Sequence, residues 1–441
     1  MSVLFICVFH SDISRRSWPE LPIFTGYTKT TEVNLPFFIA RRYLLKQKGA
    51  FSSFIIRLAI VATALSVAVM IAAVAIISGF KYSVREKLFS FWGHIHVAPY
   101  NTNPANLISS GAVHADPVLM HNIQQLPHVT QVAPYALSPG IIQAKGHMEG
   151  IRLKGIQPSY RFEKGIAFSG NRIDFSDTAY SRQIQLSQTT ADRLDVGAGD
   201  SVFIYFLEPG EQFPRVRKVR VAGLYHTGME EVDHYFAICD LRLLQRINKW
   251  PADGINGYQV DLDNDRLADT LAEDIRVRFV EPPLTTYPIS GIFPNIFDWL
   301  RLQDVNGRII LSIMAIVVVI NLAVALVILI VEQARMVGIL KALGMPQGKM
   351  QQVFLYHSAI IAGVGILAGN VLSLGLCRLQ QRYGFLTLSE STYYMKQVPV
   401  RINWWQVAAV DVSTLVICVA CMWLPSLYIR RILPARVLQF K

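Results

Sequence analysis

Charge-free apolar runs divide the chain into membrane and non-membrane parts. Leu58–Ile77 is 20 residues without a charge, and Ile309–Val331 is 23. A helix of about 20 apolar residues crosses ~30 Å of hydrocarbon, so both are predicted to span a membrane. Phe354–Cys377 and a stretch over residues 405–429 complete four predicted spans, arranged one plus three. Between the first and second, charge, Pro and Gly return and no run is long enough to cross. There His94-Ile95-His96-Val97 alternates as a strand does. Ile141–Ala144 and Ile151–Ile156 flank the turn-rich Lys145–Gly150, and Val202–Phe206 and Val216–Ala222 flank a second turn. Thr189–Leu194 and Asp240–Asn248 read as helices. The predicted fold is a four-helix membrane protein with a large α+β domain inserted between helices 1 and 2.

The boundaries follow: an N-terminal segment over 1–53, helix 1 over 54–80, the inserted domain over 81–304 and helix 2 over 305–331. A connecting helix over 332–350, helix 3 over 351–377, a loop over 378–403, helix 4 over 404–429 and a tail over 430–441 complete the chain. Residues 1–32 read as a poorly ordered extension or an upstream misreading of the start, because Leu4–Phe9 is too short to cross and lacks a basic leader.

The connecting segment Glu332–Gly344 carries the most information. Met336, Val337, Ile339, Leu340 and Leu343 fall at helical spacing, with Glu332, Arg335 and Lys341 at other positions. Gly344 followed by Pro346 is a helix stop. Two readings stand: a polar turn between hairpin helices, or a helix on which a separate motor pushes.

Of the residues, 52% are hydrophobic and 17% charged, as in a membrane protein rather than a soluble one. The net charge is +11, with 42 basic and 31 acidic residues. Much of the basic charge borders the spans, where it orients them and meets anionic lipid, so nucleic acid is not an expected partner. Five basic residues (Arg41, Arg42, Lys46, Lys48 and Arg57) precede the first span on the side placed in the cytoplasm, three lie in the connecting segment and four in the tail, against four in the short outer loop. That bias puts the inserted domain outside the cytoplasmic membrane. Of five cysteines, Cys239 alone lies in the inserted domain, so no bridge within it is expected.

Chemistry is sparse. Gly344–Lys349 is one residue short of a phosphate loop, and Met350 stands where Ser or Thr is required. No catalytic residue and no metal are expected. His94 and His96 share a strand face but lack further ligands at a useful spacing. His226, Glu230, Asp233 and His234 read as a solvated turn in which Asp233 caps backbone groups. In the spans, Gly365 and Gly369 form a small-xxx-small pair, and His357 and Asn370 are expected to bond across helix interfaces. Trp404-Trp405 reads as an interfacial anchor, and Asp411 as a helix-start residue reaching interfacial water, with a polar lining of the substrate route or a partner contact as the alternative.

Several stretches carry a resemblance: Pro36-Phe37-Phe38-Ile39-Ala40-Arg41-Arg42-Tyr43-Leu44, Ser78-Gly79-Phe80, His226–Asp233, Trp250-Pro251-Ala252-Asp253-Gly254-Ile255, Glu332–Gly344 and Leu424–Leu438. Together they make the chain similar to FtsX/MacB-type permeases of ABC transporters, and within these to the lipoprotein-releasing LolC/LolE type, over nearly all of 34–441. The resemblance implies a multi-pass protein of the bacterial inner membrane with its large domain in the periplasm. It implies two copies of a cytoplasmic ABC ATPase holding ATP and Mg, with no cofactor on this chain. A second permease subunit, like or unlike, lipoprotein cargo, a periplasmic carrier and membrane lipids complete the implied partners. Glu332, Arg335, Val337, Ile339, Leu340, Lys341 and Gly344 would then couple the ATPase, and Val69, Met70 and Val74 would line the cargo cavity. The short Leu207–Lys218 loop leaves carrier recruitment by this chain open. Within the same fold, export of peptides or drugs is an alternative, as is a transmembrane regulator of a cell-wall hydrolase.

Overall fold

The computed structural model describes residues 50–101, 111–162, 165–177, 179–206, 213–389 and 393–426, without the side chains of 50–52, Arg335 and 421–426. The stretches at 36–44 and 427–438, and residues 207–212 of the second hairpin loop, lie outside the described residues.

Helix α1, Ala50–Trp92, has 43 residues. At 1.5 Å per residue it is about 65 Å long, roughly twice the hydrocarbon thickness. Beyond the predicted span, Phe80, Val84, Leu88 and Phe91 recur at helical spacing and all are buried, so the helix runs on into the inserted domain.

The inserted domain continues with β1 (Ile95–Pro99), β2 (Val113–His114), α2 (Pro117–Gln124), β3 (Val129–Ala144), β4 (His147–Ile156) and β5 (Ala167–Gly170). Then come β6 (Gln183–Ser187), α3 (Gln188–Leu194), β7 (Ser201–Phe206), β8 (Arg215–His226), α4 (Glu230–Tyr235) and β9 (Phe236–Asp240). It ends with α5 (Leu241–Ile247), β10 (Gly254–Ile255), β11 (Gly257–Leu262), α6 (Ala268–Arg278), β12 (Leu284–Pro288) and α7 (Ile289–Ile292). The remaining helices are α8 (Pro294–Glu332), α9 (Ala334–Ala342), α10 (Gln347–Tyr383) and α11 (Trp404–Ser426).

The inserted domain is α+β, as expected. Its main sheet has ten strands in the order β12-β1-β11-β3-β4-β9-β6-β8-β5, with β7 joining β3 and β8. The 16-residue β3 is its spine, pairing with β11, β4 and β7. Both predicted hairpins form. The first is tighter than expected: Lys145 and Gly146 alone make the turn at φ 47° and 85°, opposing Ala144 to His147. Two positive-φ residues are what a two-residue hairpin turn needs to match strand twist. Ser187 caps α3 by accepting from Thr190 N at 3.0 Å, and Asp240 caps α5 by accepting from Arg242 N at 2.9 Å.

Three helices, α1, α8 and α10, are long and apolar enough to cross a membrane, and α11 is a shorter apolar helix. The predicted boundaries at 80/81 and 304/305 fall inside α1 and α8. The charges that return there, such as Lys81 and Asp304, sit on helix surfaces and do not end the helices. Helix α10 packs closely on α1 through Gly365 and Gly369. A Cβ on Gly369 would lie 2.7 Å from the Ala64 carbonyl oxygen, and one on Gly365 2.8 Å from Thr63 Cβ. Without water to drive association, such close approach supplies the dispersion contacts that hold apolar helices together.

Candidate functional site

Between the second and third apolar helices the chain turns twice within a few residues. Helix α8 ends at Glu332, the buried Gln333 makes the corner, and α9 begins at Ala334. At the far end the Gly344 N–H donates to Lys341 O and the Met345 N–H to Leu340 O, each at 3.0 Å. This is the paired-bond helix stop that requires a left-handed residue, and Gly344 supplies it at φ 85°.

Helix α9 has two faces. Val337 is fully buried, and Met336, Leu340 and Met345 pack with it against the cluster formed by Leu329, Ile330, Met350 and Phe354. Ile339 and Leu343 point away, 46% and 78% exposed, and Glu332, at the end of α8, is exposed as well. Of the predicted coupling residues, then, Val337 and Leu340 seat the helix, whereas Ile339 and Glu332 face outward. Lys341 is half-buried, Gly344 makes the stop, and the Arg335 side chain lies outside the described residues. Leu343, outside that set, is the most exposed apolar side chain of the segment.

Of the three predicted cavity residues, Met70 and Val74 share a helix face and the same packed cluster, and Val69 does not. Met70 is buried in the helix cluster and Val69 is 38% exposed. Val74 lines a small crevice with Ile71, Ala75, Val407 and Val410, between α1 and α11. Residues 69 and 70 are about 100° apart around a helix, so neighbours in sequence face different surroundings.

Where α1 meets the sheet, the structure holds a group that sequence reading passed over. Lys154 of β4 is fully buried, and its Nζ donates to the Phe91 carbonyl near the helix end and to Gln259 Oε1 at 2.9 Å. The rings of Phe91, Trp92 and Tyr160 surround the amine at 4.5, 5.6 and 5.3 Å. Burial pushes its pKa down to about 7, partly opposed by Asp261. A cation at a helix C-terminus satisfies an orphan carbonyl and meets the negative end of the dipole. Lys154 thus ties the foot of the first long helix to the middle of the sheet.

The histidines predicted to share a strand face occupy different places. His94 precedes β1; its Nδ1 accepts from Leu262 N at 3.1 Å while its ring stacks on Phe89 at 4.2 Å. His96 packs edge-on to Tyr135 at 5.1 Å. Burial lowers the two pKa values to about 4 and about 3, the charge of Lys154 adding to the effect at His96. Both rings are neutral structural groups near pH 7.

The Asp233 turn caps backbone as expected, but its centre is buried rather than solvated. Asp233 Oδ1 accepts from Thr227 N at 3.0 Å and Thr227 Oγ1 at 2.8 Å, and Oδ2 from Gly228 N at 2.9 Å. A buried carboxylate is tolerated where several donors satisfy it. Next to it, Glu231 accepts from the Tyr394 hydroxyl at 3.0 Å, and Lys87 donates to the Tyr394 carbonyl at 2.5 Å. The loop before α11 is thereby strapped to the domain. Its other end crosses α1 at Gly79, where a Cβ would lie 2.5 Å from the Pro399 carbonyl oxygen. Ser78-Gly79-Phe80 is therefore a seat: Ser78 donates to Gln406 at 3.0 Å, Gly79 admits the backbone, and Phe80 packs on Trp299 at 5.0 Å.

Asp411 departs from expectation. It lies two turns inside α11 and accepts from Asn370 Nδ2 of α10 at 2.9 and 3.0 Å. Asn370 forms the expected bond across helices, and its partner is Asp411. Trp404 and Trp405 are 62% and 81% exposed at the helix start, as an interfacial anchor should be.

Long apolar helices carrying an inserted α+β domain, with a short two-faced helix between two of them, define a membrane permease subunit. The FtsX-like permease C-terminal family matches residues 308–434, and the MacB-like periplasmic core domain family matches residues 58–278. The chain belongs to this FtsX/MacB-type family of ABC transporter permeases, whose members are transmembrane subunits rather than enzymes. It is 25% identical over 425 residues to the lipoprotein-releasing system transmembrane protein LolC of Xylella fastidiosa, covering 91% of this chain and 98% of the relative. It is 23% identical to LolC of Neisseria meningitidis, over 92% of this chain and the whole relative. LolE of Haemophilus influenzae is also 23% identical, over 92% of this chain and 99% of the relative. Among solved structures, the periplasmic region of MacB from Actinobacillus actinomycetemcomitans is similar at a TM-score of 0.33 and 14% identity, over 46% of this chain and 92% of that one.

Proposed function

We propose that this chain is a permease subunit of an ABC transporter that releases lipoproteins from the inner membrane to a periplasmic carrier, on the way to the outer membrane. Four spans, α1, α8, α10 and α11, hold it there with the inserted domain on the periplasmic side. A separate ATPase, in two copies with its ATP and Mg, does the work, and a second permease subunit completes the pore. LolC- and LolE-named relatives along almost the whole length support the cargo class. Drawing several acyl chains from a bilayer costs about 0.8 kcal/mol per CH₂, which is why an external motor is required.

One observation carries the mechanism: α9 is seated by Val337 and Leu340 yet leaves Ile339 and Leu343 uncovered. These two apolar side chains, with Glu332, are the surface offered to the ATPase. Force entering at α9 passes through the packing of Val337 on α8 and α10, then along α1 and α8 into the domain. Those long helices leave no flexible linker at which motion would be lost. Replacing Ile339 with Glu tests this. Removing a buried Ile contact of about 2 kcal/mol and placing a charge in the interface should cut ATPase co-purification more than about 30-fold. Membrane insertion should be unchanged, since the residue is exposed. Undiminished co-purification of I339E and L343E would remove the proposed docking face.

A further inference from the structure

Where α1, the inserted domain and the start of α11 meet, they enclose a groove of about 840 Å³. Its floor includes Ile77, the last residue of the apolar run, and Gln406, beside the exposed Trp404 and Trp405. Aromatic anchors and the end of an apolar run both mark headgroup depth, so the groove opens at the membrane surface on the domain side. Four cations and four carboxylates line it. Lys81 pairs with Asp304 at 2.6 Å, Arg85 with Asp265 at 2.9 Å, and Asp263 sits 3.0 Å from His128. That leaves Arg266, Arg401 and Glu86 without an ion-pair partner among the described residues. Arg401 is nonetheless held in place: its guanidinium stacks 3.9 Å over the Tyr82 ring, and its backbone N–H donates to Ala75 O at 3.1 Å.

We infer that this groove binds the headgroup of a membrane phospholipid carrying a phosphodiester and a primary ammonium, the phosphate on Arg401 and Arg266 and the ammonium on Glu86. The residual charges in the groove are of both signs, as are those of such a headgroup. A guanidinium presents a fork of donors matched to phosphate oxygens, and stacking on Tyr82 pre-pays part of its ordering cost. An anionic headgroup without the ammonium leaves Glu86 uncompensated. A quaternary ammonium has no N–H to give it. The site stands whichever cargo the permease carries, since it depends on the membrane placement of the groove alone.

The test is lipid retention by the purified full-length chain in detergent, counted by native mass spectrometry. The probes are dioleoyl phosphatidylethanolamine, phosphatidylglycerol and phosphatidylcholine, and soluble glycerophosphoethanolamine. The wild type should retain one phosphatidylethanolamine about tenfold more tightly than the other two lipids, as one additional charge-assisted hydrogen bond gives. Glu86→Gln should bring phosphatidylethanolamine down to the phosphatidylcholine level, while Arg401→Gln should weaken all three lipids. Arg266→Gln, at an exposed position in the single 3-10 turn Asp265–Leu267 ahead of α6, repeats the arginine test outside the long helices. Equal retention of the three lipids by the wild type, or an unchanged preference in Glu86→Gln, overturns the proposal. Equally tight binding of the soluble headgroup compound overturns the lipid assignment in favour of a free metabolite.

Discussion

Replacing Lys154 with Met removes the amine from the joint between the first long helix and the sheet while keeping an unbranched apolar side chain there. The amine titrates at about 7 when folded, because burial disfavours its charged form, against 10.5 in an open chain. Between those values the unfolded chain binds a proton that the folded chain has released, so protons favour unfolding and stability rises with pH. Below about 7 both states are charged and the burial penalty is complete; above 10.5 both are neutral and it is gone. Within the window this group contributes about 1.4 kcal/mol per pH unit, or nearly 3 kcal/mol from pH 7.5 to 9.5. For a domain of this size that is about 6–10 °C in unfolding temperature. The assay is thermal unfolding of the full-length protein in detergent across that range, wild type beside K154M. Tyr135 and Tyr394, whose pKa values burial raises, titrate in both proteins and cancel in the comparison. The wild type should gain stability with pH relative to K154M. Parallel pH profiles would mean that the amine is not buried at the helix foot, and the described joint would be wrong.

Other perturbations probe the helix packing and the turn. Gly369→Leu puts side-chain atoms where a Cβ alone would lie 2.7 Å from the Ala64 carbonyl; it should destabilise the detergent-solubilised protein by about 1–3 kcal/mol, while Gly363→Leu, with open space at its Cβ, should not. Asn370→Leu strands Asp411 in the helix interface. The double variant with Asp411→Leu should recover stability, with a coupling of about 0.6–1.7 kcal/mol in a double-mutant cycle. Asp233→Asn weakens acceptors for Thr227 and Gly228 and should cost about 1–3 kcal/mol, read as a lower unfolding temperature and faster proteolysis at the turn.

Local signals made much of this molecule legible in its sequence. Long charge-free runs are spans because nothing else satisfies a backbone in hydrocarbon. The Gly344-Met345-Pro346 stop and the two hairpins each depend on residues close in the chain; the Gly365/Gly369 spacing marks a contact face, although its partners Thr63 and Ala64 are remote in sequence. Helix ends were harder. The stripe Phe80, Val84, Leu88, Phe91 was present at helical spacing, but the return of charge at Lys81 and Arg85 reads as the end of a span. Asp411 and Asn370 are 41 positions apart, and Lys154 meets Phe91 across 63. Pairings of that range exist only once the sheet order and helix packing are known. The same holds for α9: spacing gives an amphipathic helix, but packing decides which of its apolar residues stay uncovered. The groove at the membrane surface combines residues from 77 to 406 and left no local trace.

The most direct test of the central claim is reconstitution. The full-length chain, purified in mild detergent with whatever accompanies it, is placed in liposomes bearing a fluorescent triacylated lipoprotein, and release to the aqueous phase is followed on adding ATP and Mg. We expect a co-purified ABC ATPase and ATP-dependent release that I339E abolishes while the vesicles stay intact. A cell-wall hydrolase in place of the ATPase-driven release, or release indifferent to both ATP and Ile339, would contradict it.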